Sequence, residues 1–477
     1  MRAGLLGFLF LAACSDAPPA SLPGPPVPPR DGFLDQLPRE VALTARLPAA
    51  EVLLARPDDF GPLLSALGLS QNPRRLFYGT EEMIGIDPKR GPGFALTQGR
   101  AWVHYLPAAD KAALARVMRA RVAAGTNYRE EGDWVLLFTG GAAFRGEPQA
   151  ALPNGDIAFR LHHHNLLSLL ASPGDTLEGA LRVVGSRAAF QGRLVAGETS
   201  TTGDVVERSV AGEGGNIEFL PAGLALRAET TLPPTFIASF IGRKLALHCG
   251  IQEPVARRSL IRLLREALTS VDTAAGFTFG IDVRGGGFSF VALGQIADGS
   301  PSPLLSRILK AGSSHRLGAL VIDSVEQTRG THRYAAWFYG GEPVLEGLPD
   351  FATDTVRSLC NRDTGLELVY GALDERFVFA AGPRARSLAR QAMRRLQEGA
   401  TRDGAAWELE AMRHQAGEEY VLGMLVDGNA FEQLSAEDRA RLRSFFGVPG
   451  TATGLRVLVL AGYREKGALK LRIQIAF

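Results

Sequence analysis

The hydrophobic positions of the chain follow two spacings, one of two residues and one of 3.6 residues, which predicts a mixture of strands and helices. The first part of the chain shows both spacings clearly. Strands are predicted at 41–47, 93–97 and 100–106, and helices at 49–69 (with an internal break), 73–84 and 108–124. Two strands, a turn and a helix form the basic unit of this region.

The same unit is predicted again later in the chain. Strands at 366–370 and 376–381 precede a helix at 383–399, so that Trp102 on the earlier hairpin corresponds to Phe377 on the later one. Chance similarity is the alternative, because a hairpin followed by a helix is a common motif.

A second match strengthens the repeat. The strand at 156–161 leads to a short helix, as does the strand at 419–425. We interpret the two matches as a probable internal duplication, with a first α+β repeat at 33–230 and a second at 231–477.

Two further hairpins are predicted, at 277–283 with 287–293 and at 455–463 with 468–476. Sequential hairpins pair their strands antiparallel, and single strands do not alternate with single helices as a doubly wound parallel sheet requires. The expected fold class is therefore α+β, with two antiparallel sheets and helices packed on one face of each.

The N-terminus is typical of an export leader. One arginine precedes a short apolar run that ends in Leu11-Ala12-Ala13-Cys14. This tetrapeptide resembles the lipobox of bacterial lipoproteins. The resemblance implies a signal peptide at 1–13 and acyl chains, such as palmitate, on Cys14. A cysteine that ends an ordinary leader by chance is the alternative.

A proline-rich stretch follows the predicted lipidation site. Residues 14–32 contain seven prolines, and this density favours an extended polyproline II tether that would hold the folded part some tens of Å from a membrane. In lipoproteins, Asp directly after the lipidated cysteine retains the protein in the inner membrane. Ser15 stands there and Asp16 comes next, so the resemblance implies an outer-membrane lipoprotein facing the periplasm, with surface exposure left open.

Two cysteines remain, Cys249 and Cys360. In an exported protein they could form a disulfide that closes a loop of about a hundred residues. Two buried free thiols are the alternative, and their spacing does not decide between them.

Residues 37–121 resemble the opening of an uncharacterised family of exported bacterial proteins with a domain of unknown function. The resemblance rests on Leu37-Pro38, on Gly85-Ile86-Asp87-Pro88, and on the two strands and helix that follow. Arg39-Glu40 departs from the small and acidic residues expected there. The resemblance implies no known activity.

Charge and composition restrict the partners. The 52 basic and 50 acidic residues give a net charge of +2, so no overall field favours nucleic acid, and none is expected as a partner. No continuous apolar run after the leader is long enough to span a membrane, which leaves acyl chains as the predicted anchor.

The sequence offers few candidates for chemistry. His162 and His164 could share a strand face as metal ligands, with His163 between them, but a solvated turn is the preferred explanation. The usual nucleophile-elbow, zinc-helix, phosphate-loop and dinucleotide motifs are absent from the sequence, although a dispersed Ser-His-Asp triad stays open. The other histidines are His104, His248, His315, His332 and His414. No catalytic, metal-binding or cofactor-binding residue is assigned, and no cofactor is expected.

Two arginine-rich amphipathic helices, at 254–270 and 383–399, could lie on an anionic membrane, although a core-facing apolar stripe is the simpler interpretation. The leading hypothesis is a lipid-anchored envelope protein, not an enzyme, that binds or scaffolds an envelope protein partner. The alternatives are a carrier or sensor of an apolar ligand such as lipid, and an envelope hydrolase with a dispersed active site.

Overall fold

The structure is a computed structural model of the 477-residue chain. It describes residues 32–66, 72–98, 101–121, 125–139, 149–162, 174–197, 201–212, 216–233, 271–272, 275–282, 289–296, 314–317, 320–328, 331–338, 366–373, 375–399, 404–413, 418–428 and 456–477, with residues 144, 237 and 430.

Hydrogen bonds join the strands into one large antiparallel sheet, and the structure is 45% strand and 26% helical. The predicted α+β class with two sheets, each with helices packed on one face, is therefore wrong. Antiparallel pairing was predicted and is observed in the hairpins. The error has a physical cause: alternation of apolar and polar residues shows that a segment is a strand, but not which distant strand will pair with its edges.

Contacts divide the chain into two compact units, of which the first contains Met1–Asp204, Pro449–Arg456 and Gly467–Phe477. Its strands are β1 (Val41–Arg46), β2 (Gly93–Thr97), β3 (Trp102–Pro107), β4 (Thr126–Glu131), β5 (Trp134–Thr139), β6 (Ile157–Leu161), β7 (Thr176–Val184), β8 (Arg187–Val195) and β20 (Ala468–Ala476). They pair in the order β4-β5-β3-β2-β1-β6-β7-β8-β20.

The first unit also contains four described helices that precede or connect these strands: α1 (Ala50–Ala55), α2 (Phe60–Ala66), α3 (Pro73–Tyr78) and α4 (Lys111–Arg121). Helix α3 is shorter than predicted because Gly79 adopts a left-handed conformation, with φ of 72°, and caps it. Asn72 caps its other end by accepting a hydrogen bond from the Arg74 amide at 3.0 Å.

The second unit contains Val205–Val448 and Val457–Lys466. Its strands are β9 (Leu226–Thr230), β10 (Val271–Asp272), β11 (Phe277–Asp282), β12 (Ser289–Ile296), β13 (Ser314–Leu317), β14 (Leu320–Thr328), β15 (Thr331–Phe338), β16 (Leu366–Leu373), β17 (Arg376–Ala381), β18 (Glu419–Asp427) and β19 (Val457–Glu465). The order is β13-β14-β15-β16-β17-β12-β11-β9-β18-β19, and β10 pairs with the end of β12.

Two longer helices of the second unit, α6 (Ala385–Glu398) and α7 (Gly404–Arg413), pack on one side of these strands; α5 (Thr201–Arg208) lies at the boundary between the units. Helix α6 buries Leu388, Ala389 and Ala392 in a core shared with β12, β16 and β17. Its apolar stripe is thus occupied by the protein's own sheet. This supports the simpler interpretation of the arginine-rich helix at 383–399, since that stripe is not available to a membrane.

The two units repeat a strand order. In the first, the run is β4-β5-β3-β2-β1-β6-β7, and in the second β16-β17-β12-β11-β9-β18-β19 occurs in the same sense. Strands β6 and β18 hold equivalent places, as the second sequence match implied. The Trp102 hairpin does not match the Phe377 hairpin, because β2–β3 lies next to the central strand whereas β16–β17 lies further out, where the first unit has β4–β5. The repeat boundaries at 33–230 and 231–477 stay a prediction.

None of the helices in the described ranges is both long and apolar enough to cross a membrane. The predicted leader at 1–13, Cys14, nearly all of the tether at 14–32, Cys249 and Cys360 lie outside those ranges. The lipid attachment and the disulfide stay predictions.

Candidate functional site

His162, the first histidine of the predicted cluster, lies directly after β6. Its Nδ1 is 3.2 Å from Thr176 Oγ1, and its Nε2 is 3.4 Å from the Gln149 side-chain nitrogen. An amide nitrogen only donates, so ring Nε2 accepts, and Nδ1 carries the proton and donates to Thr176. Partial burial and the nearby Arg160 lower the pKa of His162, which favours this neutral form.

Both ring nitrogens of His162 are therefore used by hydrogen bonds within the protein. His163 and His164 lie outside the described residues, and within those residues no cluster of three or more His, Cys, Asp or Glu side chains could hold a metal ion. His162, the described member of the predicted histidine cluster, therefore has a structural role: its hydrogen bond holds Gln149 against the sheet.

A neighbouring ion pair reinforces that attachment. Arg160 donates to Glu178 Oε2 from two nitrogens, at 3.1 and 3.0 Å, and to the carbonyls of Ala150 and Ala151 at 2.9 and 3.2 Å. Arg46 donates to the Pro153 carbonyl at 2.8 Å. Together these bonds hold the segment before β6 against the sheet, and they occupy the carboxylate of Glu178.

The remaining histidines do not assemble into a catalytic group among the residues that can be described. His104 is buried on β3, where it bonds to the backbone of Phe77. His315 and His332 lie on β13 and β15, and His248 and His414 are outside the described ranges. The dispersed triad stays an untested alternative.

A buried ionic cluster in the second unit was not predicted. Arg413 on α7 pairs with Glu229 on β9, and their side chains are only 3% and 1% exposed. Tyr420 donates to Glu229 Oε1 at 2.5 Å, and Arg413 also pairs with Glu410 at 2.6 Å. In the sequence, Arg227 and Glu229 alternate with apolar residues in β9, as on a half-exposed strand, so nothing marks Glu229 as buried.

Electrostatics keep Arg413 charged and Tyr420 neutral. Burial alone would lower the pKa of Arg413, but Glu229, the Tyr420 oxygen and Glu410 raise it overall. Burial, and then Glu229, raise the pKa of Tyr420 well above its usual value, so the phenol keeps its proton and donates it. Arg413, Glu229 and Tyr420 are buried, and their contacts connect α7 to the sheet.

The third feature is a polar sheet surface on β7, β8 and β20. Side chains at directly opposite positions of paired strands point to the same side. On these strands one side is the buried core, formed by Leu181, Val183, Phe190, Leu194, Leu471 and Ile473. The opposite side carries five basic residues, which we call the basic face: Arg182, Arg187, Arg193, Lys470 and Arg472.

The strand register places these charges close together. Arg193 lies directly opposite Lys470, and Gln191 opposite Arg472. Arg187 and Arg193 are exposed and lie six residues apart on one strand, which corresponds to about 20 Å. The acidic residue on the same side of these three strands is Glu178, whose carboxylate bonds to Arg160. A surface of this kind can bind phosphate or carboxylate groups.

Alternation of apolar and polar residues in β20 predicts one polar side for that strand, but it does not show that the polar sides of β7 and β8 lie beside it. The net charge of the whole chain does not reveal the basic face, since a net charge near zero says nothing about where the charges lie.

Comparisons with known proteins add no function: no family model, no curated protein and no solved structure matches the chain. The resemblance of 37–121 to an exported family stays a prediction.

Proposed function

We propose that this chain is a lipid-anchored protein of the cell envelope with a non-enzymatic binding or scaffolding role. The leader that ends in Cys14, followed by the proline-rich stretch, supports the anchor. The basic face is the observation that carries the binding role. Arg187 and Arg193 of this face are exposed, Arg182, Lys470 and Arg472 are half-buried, and the opposite side of the three strands lies in the core.

The anchor is tested by substitution of Cys14. The wild-type chain should incorporate a labelled fatty acid and sediment with membranes, and Cys14→Ala should lose the label and move to the soluble fraction. Cys249→Ala is the matched control and should keep both properties. Unchanged partitioning of Cys14→Ala would remove the anchor from the proposal.

The binding role is tested by crosslinking the native protein in membranes. Recovery of one specific envelope protein would support scaffolding. Crosslinks to membrane lipid that are lost in the Arg187→Gln/Arg193→Gln chain would support binding through the basic face, and lipid crosslinks that survive these substitutions would contradict a role for that face.

A second candidate function, binding of an apolar ligand, is favoured by a different surface. On the other side of the second unit's sheet, Phe279 and Phe290 are only partly buried and stack with ring centroids 6.0 Å apart. Met424 and Val426 are also partly buried beside them. Organic extraction of the purified protein, followed by mass spectrometry, should recover a lipid from wild type and less from Phe290→Ser. An extract without lipid would contradict this candidate.

A further inference from the structure

The basic face has a surplus of positive charge among the described residues. Five basic side chains lie on one side of β7, β8 and β20, against the single carboxylate of Glu178. Arg193, Lys470 and Arg472 each also make a contact within the protein. The surplus of charge and its one-sided placement, rather than any unpaired side chain, therefore make this surface attractive to anions.

The chemistry of these side chains limits the kind of anion that the basic face would bind. Four of the five are arginines, whose planar guanidinium groups bind phosphate oxygens through paired hydrogen bonds. A sheet surface that spreads such groups over about 20 Å along a strand fits many phosphates side by side better than one small anion.

We propose that the basic face docks on an anionic phospholipid surface. This rests on the anchor of the proposed function. A chain held by acyl groups on Cys14, with a tether at 14–32 of about 3.1 Å per residue, keeps this face within reach of the headgroups. Tethering raises the effective concentration of the membrane, so weak attraction by several charges is enough to orient the protein.

A second basic surface among the described residues, on helix α6, fits a membrane less well. Helix α6 exposes Arg386, Arg390 and Arg394, but Arg394 is paired with Glu398 at 3.7 Å, and the helix's apolar stripe is buried. It therefore provides the control, because three of its arginines can be replaced at a place where docking is not expected.

The experiment measures vesicle binding by the full chain carrying Cys14→Ala, which cannot be acylated. Vesicles of phosphatidylglycerol and phosphatidylcholine in equal parts are compared with vesicles of phosphatidylcholine alone, by co-sedimentation at low and high salt. We expect binding to the mixed vesicles only, weakened by salt. Near a membrane each basic residue changes the affinity about fivefold, so Arg182→Gln/Arg187→Gln/Arg193→Gln should bind about a hundredfold more weakly.

The triple variant Arg386→Gln/Arg390→Gln/Arg394→Gln should bind as the parent chain does. Equal losses in the two triple variants would overturn the proposal, because only net charge would then matter. Equal binding to both kinds of vesicle would also overturn the proposal. Displacement of the protein from mixed vesicles by polyglutamate, at the same total negative charge as the vesicles, would overturn it too, because it would indicate an acidic protein partner.

A folding control keeps the test interpretable. Both triple variants should melt at the same temperature as the parent chain. If Arg182→Gln/Arg187→Gln/Arg193→Gln does not, Arg187→Gln alone should still weaken binding about fivefold. Unchanged binding by that single variant would overturn the proposal. The vesicle assay uses a chain without the lipidated cysteine, so it tests the docking surface alone. The membrane fractionation of Cys14→Ala tests the anchor alone, and failure of one proposal can therefore be distinguished from failure of the other.

Discussion

His104 should make the first unit sensitive to acid. Its side chain is buried on β3, it bonds to the Phe77 backbone, and its Nε2 has no hydrogen-bond partner. Burial lowers its pKa from the usual 6.5 to about 4. Between these values the unfolded chain binds a proton that the folded chain does not, so the free energy of unfolding falls as the pH falls from 6.5 towards 4.

The magnitude follows from the size of the shift. Each pKa unit corresponds to about 1.4 kcal/mol, so His104 should remove up to about 3 kcal/mol of stability across that range. His104→Leu abolishes this titration. The variant also loses the bond to Phe77, which costs roughly 1 kcal/mol at every pH and leaves the slope unaffected.

Denaturant unfolding of wild type and His104→Leu at pH 7, 5.5 and 4 measures the effect. Trp102 and Trp134 lie on strands of the first unit, so their fluorescence reports on that unit when Trp337 and Trp407 of the second unit are replaced by Phe in every chain compared. The wild type should lose about 3 kcal/mol more than the variant between pH 7 and 4. His162→Gln, altered at a half-buried histidine, should follow the wild-type curve more closely. Parallel curves for wild type and His104→Leu would refute a neutral, buried His104.

Three further substitutions test the packing described above. Arg413→Met should destabilise the second unit by about 3–5 kcal/mol because Glu229 is left buried and unpaired, while adding Glu229→Gln should recover part of the loss; additive losses in thermal unfolding would contradict the pairing. In Gly423→Ala, the new Cβ would lie 1.9 Å from the Tyr420 hydroxyl, so calorimetry should show a loss of about 2 kcal/mol, and an unchanged melting temperature would place Tyr420 elsewhere. In Gly179→Ala, the Cβ would come within 2.2 Å of the buried Phe190 ring, and unfolding should show a similar loss, which a stable variant would disprove.

Much of the local structure could be predicted from the chain. The strand predicted at 93–97 was observed with the same bounds, as was the one at 468–476, because turn residues stand directly before each of them, Gly91-Pro92 and Lys466-Gly467. The helix predicted at 73–84 ends early, at Tyr78, since a left-handed Gly79 overrides the apolar pattern that continues beyond it.

Long-range pairing could not be predicted in the same way. Gly179 in β7 and Gly192 in β8 interrupt the apolar pattern of these strands. Both glycines nevertheless lie against the buried Phe190 ring in the β7–β8 hairpin. The pairing of β8 with β20 joins residues far apart in sequence, and neither strand's composition specifies its partner. The basic face depends on that pairing, so it could be found only once the register was known.

The same pairing has a consequence for how the protein is made. The sheet of the first unit ends in β20, the last strand of the chain, which pairs with β8 along its full length. During synthesis, this edge of β8 has no partner until β20 has been translated, more than 250 residues later. A chain cut short near its end should aggregate rather than fold partially.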